Sequence, residues 1–223
     1  MIALFFAIAP ALLAAVALAV LVGGTGLLAR RFAWESEAAR KVSHVAVGVA
    51  CVALPWLFGD VAPVLALAAT ACAGLVALRT VPWLRVRFGA ALHGIARASY
   101  GEFAFVAGVT LAFVLAHGDK PAYMAALLAL TFGDAAAALV GRRFGRHRFA
   151  VGRARKSLEG SAAFFVVAVL VCAVFPRAES VAAVAAFALA TTLAEAFAGD
   201  GFDNTAIPLA GLLALRLFGG TFA

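Results

Sequence analysis

Charge is scarce in this chain. Of 223 residues only 13% are Asp, Glu, Lys or Arg, while 65% are apolar and mean hydropathy is +1.06. Soluble domains run at about 25% charged and about 45–50% apolar residues, so this composition excludes a water-soluble globule and puts excess apolar surface against lipid. Cysteines number three, Cys51, Cys72 and Cys172, each inside an apolar run. That pattern excludes a disulfide framework or a cysteine-based zinc site. Neither G-x-x-x-x-G-K-[ST] nor G-x-G-x-x-G occurs, so any nucleotide site is of another kind than the Walker or dinucleotide loop. No basic arm interleaved with aromatics lies outside the hydrophobic segments, and nucleic acid is not an expected partner. The bias toward Arg over Lys, fifteen to three, and toward Ala points to a GC-rich bacterial genome.

What is present is a series of apolar runs bounded by charges and turn residues. They place helices near 2–29, 39–58, 61–79, 100–117, 119–141, 157–175, 179–199 and 204–219. The expected fold is an all-α polytopic integral membrane protein with about eight transmembrane helices, forming one transmembrane domain over 1–223. The first apolar stretch has no basic leader and is too long for a signal peptide, so it is read as a span. Residues 80–98 mix apolar and basic residues too closely for a span and are read as an interfacial amphipathic helix. Fifteen of the eighteen basic residues fall in the loops after the first, third and fifth helices. By the positive-inside rule those loops are cytosolic and both termini external, in a bacterial inner (plasma) membrane.

Acids near a bilayer are costly and therefore informative. Asp60, Asp119 and Glu179 fall in short external turns, while the other eight acids map to the cytosolic side, with Glu35 and Glu37 in an ion-paired loop. Asp134 stands out because it lies inside the fifth helix, about 10 Å before Gly141. Gly133, Ala137 and Gly141 make a small-residue stripe beside it, open to close helix packing. The stretch 141–161 then carries seven basic residues with Gly141, Gly145 and Gly152, able to offer guanidinium forks and backbone N–H groups to a polyphosphate, or to serve as an ordinary positive-inside loop. Arg146, Arg153 and Arg155 are the arginines of interest there. Lys156, Ser157, Glu159 and Gly160 open the sixth helix, where free N–H groups favour an anion, although Ser157 is equally a plain N-cap. Glu195, Asp200, Asp203 and Asn204 supply oxygen ligands suited to magnesium, with an Asx-type cap as the competing account of Asp203 and Asn204. Arg40, Lys41 and His44 enter the second helix together; snorkelling accounts for the first two, and His44 lies a turn deeper. Tyr100 and Glu102 open the fourth helix at the same depth.

These strings resemble the CTP-dependent lipid kinases, the family that includes dolichol kinase, phytol kinase and the fungal diacylglycerol kinase. The residues that carry the resemblance are Arg40-Lys41-x-x-His44, Gly133-Asp134-x-x-Ala137-x-x-x-Gly141 with Gly145, Lys156-Ser157-x-Glu159-Gly160, and Glu195 with Asp203-Asn204. In length the chain is more similar to phytol kinase and its bacterial relatives than to dolichol kinase. The resemblance implies CTP as donor, magnesium as cofactor, and nucleotide motifs on Asp134, Lys156, Ser157, Glu159 and Gly160. The expected reaction is phosphorylation of a membrane lipid alcohol such as phytol or geranylgeraniol at the cytosolic face. Asp134, His44 and Glu195 are the catalytic candidates, and Asp134, Glu195, Asp203 and Asn204 the metal candidates. A diacylglycerol kinase, a CDP-lipid-forming cytidylyltransferase and, last, a transporter are the alternatives. The clustering of polar groups at one face argues against transport.

Overall fold

The computed structural model describes residues 2–84, 100–174 and 180–219. Each segment read as a span is helical. In chain order the helices are α1 (Ile2–Arg31), α2 (Ser36–Val52), the single turn α3 (Leu54–Leu57), α4 (Val61–Thr80), α5 (Gly101–Ala116), α6 (Lys120–Leu128), α7 (Asp134–Phe144), α8 (Leu158–Val174), α9 (Val181–Phe197) and α10 (Asp203–Phe218). Much of the segment read as an interfacial helix lies outside the described residues. Four helical stretches, Ala9–Arg31, Glu37–Leu57, Val61–Thr80 and Lys120–Phe144, are long and apolar enough to cross a membrane, which makes this a membrane protein. The count of eight spans is not carried by length. The remaining segments α5, α8, α9 and α10 have 16 or 17 residues, about 24–26 Å of helix against a hydrocarbon core of about 30 Å.

The expectation of an all-α chain needs two corrections. First, the glycine-punctuated stretch after α7 contains an antiparallel hairpin, β1 (Arg148–Val151) with β2 (Ala154–Ser157), in the register Arg148 to Ser157 and Phe149 to Lys156. Gly152 turns it with φ +57° while Arg153 stays out of the left-handed region, the glycine-first pattern of a two-residue hairpin turn. Second, α6 and α7 are joined by a π-helical turn, Ala129–Gly133, which ends immediately before Asp134. Such turns are rare and gather at functional sites.

The core centres on α6. Half of the most apolar 18-residue window in Lys120–Phe144 is buried, against 11% of that in Val61–Thr80. Its residues Ala122, Tyr123, Ala126 and Leu127 are sealed by α2, α5 and α10. Pro55 explains one feature of this packing. With no N–H it cannot satisfy the carbonyl four residues earlier, and that carbonyl, Cys51, instead accepts the buried Tyr123 hydroxyl at 2.9 Å. Asp119 caps α6 by accepting from Ala122 N at 3.0 Å, which gives that turn acid a structural role.

Candidate active site

The N-terminal ends of α2, α5, α8 and α10 and the C-terminal ends of α4, α7 and α9 meet through polar contacts. Arg79 pairs with Glu102 between α4 and α5 (3.0 Å), and Asn204 Nδ2 donates to the Gly101 carbonyl between α10 and α5 (2.9 Å). At this end a cleft of about 880 Å³ opens between α2, α7, the hairpin and the α9–α10 junction. Its walls carry Arg40, Lys41, Asp134, Gly141, Arg155, Lys156, Ser157, Gly160, Glu195 and Asp203 among the expected residues. They also carry Glu35, Glu37, Arg142, Arg148 and Ser161, which sequence reasoning did not select.

One wall is built by α2 and the π turn. Lys41, buried at 8% exposure, donates to Asp134 Oδ2 at 2.5 Å. The snorkelling account of Lys41 is therefore overturned, since the ammonium turns inward to a carboxylate that has no other cation as close among the described residues. His44 lies one turn deeper, its Nε2 3.6 Å from the same oxygen. Among the described residues its Nε2 is buried without a hydrogen-bond partner. Phe105 meets the ring edge to face at 5.1 Å. Arg40 points the other way along the helix, bonded to Glu37 at 2.6 Å and half exposed.

The opposite wall is built by β2, α8, α9 and α10. Period-2 alternation in β2 buries Lys156 toward α9 and α10. Its ammonium donates to the Glu195 backbone carbonyl, to Glu195 Oε1 at 3.0 Å and to Asp203 Oδ2 at 3.3 Å. Ser161 donates to Glu195 Oε2 at 3.0 Å, a residue missed because it sits in the opening turn of an apolar helix. Both carboxylate oxygens of Glu195 are thus spent on the protein. Ser157 caps α8, its hydroxyl accepting from Gly160 N at 3.1 Å. A Cβ on Gly141, Gly145 or Gly160 would lie at or near 3 Å from that hydroxyl. These glycines let α7, α8 and β2 close on Ser157, a packing role for the stripe, while Gly141 and Gly160 also face the cleft.

Several expected residues stand apart from the cleft. Glu159 points away, to the backbone N–H and Nδ1 of His147 (2.8 Å to the latter), in a separate surface depression with Gly145, Arg143 and Arg146. Arg153 and Asp200 form an exposed pair at 3.7 Å where the hairpin tip meets the α9–α10 turn. Tyr100 is exposed beside α5, and Glu102 is taken by Arg79. The Asx-cap account of α10 survives only for Asp203, whose Oδ1 accepts from Asn204 N at 3.0 Å in the first turn and not from the N-cap position. The N-cap position is Phe202, with no side-chain cap bond.

The four residues expected to bind metal do not form a preformed cage. Among the described residues no three His, Cys, Asp or Glu side chains converge as metal ligands, Glu195 is fully engaged, and Asn204, whose Nδ2 donates to Gly101, does not line the cleft. Asp134 and Asp203 remain, on facing walls and close enough to sense each other's charge. An all-oxygen pair of this kind fits a hard cation that takes its other ligands from phosphate and water.

Over 209 residues, covering 90% of this chain and 88% of its counterpart, the sequence is 33% identical to a protein of Synechocystis sp. named phytol kinase. The chain belongs to the phytol kinase family. It is a kinase whose acceptor is an alcohol. No protein-family profile and no solved structure matches it. In a kinase the two facing walls take on meaning, because phosphoryl transfer is achieved largely by positioning and by neutralising phosphate charge. The kinase offers Lys156, Arg155 and Arg148 on the hairpin side of its cleft, and on the other an acid beside a histidine, with Arg142 paired to Glu35 at 2.6 Å.

Proposed function

We propose that the kinase transfers the γ-phosphate of CTP, with magnesium, to the hydroxyl of an isoprenoid alcohol of the phytol type, at the cytosolic face of a bacterial inner membrane. The observation that carries this reading is the convergence on one cleft of Lys41, Asp134, Lys156, Glu195 and Asp203, drawn from five separate segments of an apolar chain. Arg155, Arg148 and Arg142 are the guanidinium forks for a polyphosphate, with Lys156 as the point charge. Asp134 and Asp203 are the groups to hold magnesium, which when bound neutralises charge on the donor phosphates. His44, whose Nε2 is buried without a hydrogen-bond partner among the described residues, is the group to take the hydroxyl proton. The alcohol's tail lies among apolar helices and needs no polar recognition, so the hydroxyl end alone enters the cleft.

The test uses purified kinase in micelles with magnesium and CTP labelled at either the α or the γ phosphate, offered phytol, geranylgeraniol, a polyprenol and diacylglycerol. Label from the γ position is expected in phytyl or geranylgeranyl monophosphate, with ATP a poor substitute. Label from the α position in lipid would make the protein a cytidylyltransferase, γ label in diacylglycerol alone would move the acceptor, and no label in any lipid would overturn the reading.

A further inference from the structure

Lys41, His44 and Gly48 follow one another at intervals of three and four residues and so share one face of α2, the face turned to the π segment. Glycine inside a helix costs stability relative to alanine, so its presence in mid-α2 calls for a packing reason, and the structure supplies one. A Cβ on Gly48 would stand 2.8 Å from Thr131 Cγ2, closer still to Oγ1, and 3.1 Å from Cβ. Thr131 cannot swing aside. It is wholly buried in the π turn, β-branched, and its hydroxyl donates to the Leu127 carbonyl at 2.7 Å. Any added atom at Gly48 must therefore part α2 from the turn that carries Leu130 and leads into Asp134. Gly48 lies about 10 Å along the same helix from Lys41, so the displacement is transmitted to the 2.5 Å Lys41–Asp134 bond and to His44.

We infer that Gly48 and Thr131 are a matched pair of positioning residues, whose contact sets the spacing of α2 and the π turn and so holds Lys41 and His44 against Asp134. The inference rests on the reading of Asp134 and His44 as part of the reaction centre. In that frame the pair acts on the chemical step and leaves the donor phosphates on the far wall alone.

The chain has three lysines, Lys41, Lys120 and Lys156, which makes a readout independent of turnover possible. Wild type, Gly48→Ala and Gly48→Ala/Thr131→Ala are exposed briefly to an amine-reactive reagent in micelles, and labelling of Lys41 relative to Lys120 is read by peptide mass spectrometry beside kcat and KM for CTP. Gly48→Ala is expected to raise Lys41 labelling several-fold and to lower kcat about a hundredfold, as a displacement of about 1 Å does, with KM for CTP little changed. The double variant, which removes both atoms closest to the new methyl, is expected to recover both readouts. Unchanged Lys41 labelling in Gly48→Ala, or a double variant no better than the single, would overturn the inference. Labelling that rises and is rescued while kcat stays at wild type would leave the packing intact and remove Asp134 and His44 from the reaction centre. Should Gly48→Ala alone not fold, the double variant decides: recovered as active protein it supports the pair, and lost as well it sinks it.

Discussion

Two lysines face the cleft from opposite walls, and their surroundings differ. Lys41 is held by one residue, Asp134, through its carboxylate and, at 3.4 Å, its backbone carbonyl, next to a histidine nitrogen left without a partner. Lys156 meets two carboxylates and a backbone carbonyl, and one of those carboxylates is tied down further by Ser161. The first wall balances its charge but leaves a ring nitrogen unused among the described residues. The second satisfies its hydrogen bonds almost completely and carries one more negative charge than positive among those three side chains. A buried atom with no partner is costly, and under the proposed function this is the wall where a proton is moved. Under the same proposal the closely knit opposite wall is the seat of the donor.

The strongest way to break this contrast is Asp134→Asn. Turnover with γ-labelled CTP is expected to fall about a thousandfold while the protein still inserts and purifies, and more than a tenth of wild-type turnover would remove Asp134 from the reaction centre. Next in size is the stability of the two walls. Lys156→Met strands two buried carboxylates and is expected to cost about 3–5 kcal/mol, the range for breaking a buried pair; Lys41→Met strands one and should fall nearer the lower figure. Unfolding in micelles measures both, and the reverse order would mean that the richer network is not the structural one. The smallest effects come from the edges. Ser161→Ala removes one hydrogen bond to a charged group, worth about 1.5–3 kcal/mol. Arg153→Ala opens an exposed pair worth less than about 1 kcal/mol. Equal losses from these two in the same assay would show that Ser161 does not brace Glu195.

Helix positions were legible in the sequence because hydropathy and the period of buried residues are local properties, and α1 to α10 fall within a few residues of the expected runs. The hairpin was not, for a physical reason. Four-residue strands of mixed Arg, Lys, Phe and Ala carry too little apolar alternation to separate them from a basic loop, and the sole local sign is Gly152 at the first turn position. The π turn leaves no sign at all, since an inserted residue in a helix is selected by its neighbours. Asp134 was recognisable as an acid out of place, and Lys156 as a lysine at a helix entrance. Lys41 was misjudged because a lysine at a helix end snorkels in most settings, and its partner lies 93 residues away.

Composition, charge distribution and a few spaced motifs thus settle on their own that this is a helical membrane protein and which polar residues stand out from its apolar runs, because transfer to lipid and the cost of buried charge act residue by residue. Which carboxylate meets which lysine, that Glu195 is spent on the protein, and that Gly48 must remain without a side chain were decided by tertiary packing. Those facts depend on distances between segments that the chain brings together only when α6 is enclosed and α2, the hairpin and the α9–α10 turn close over one cleft.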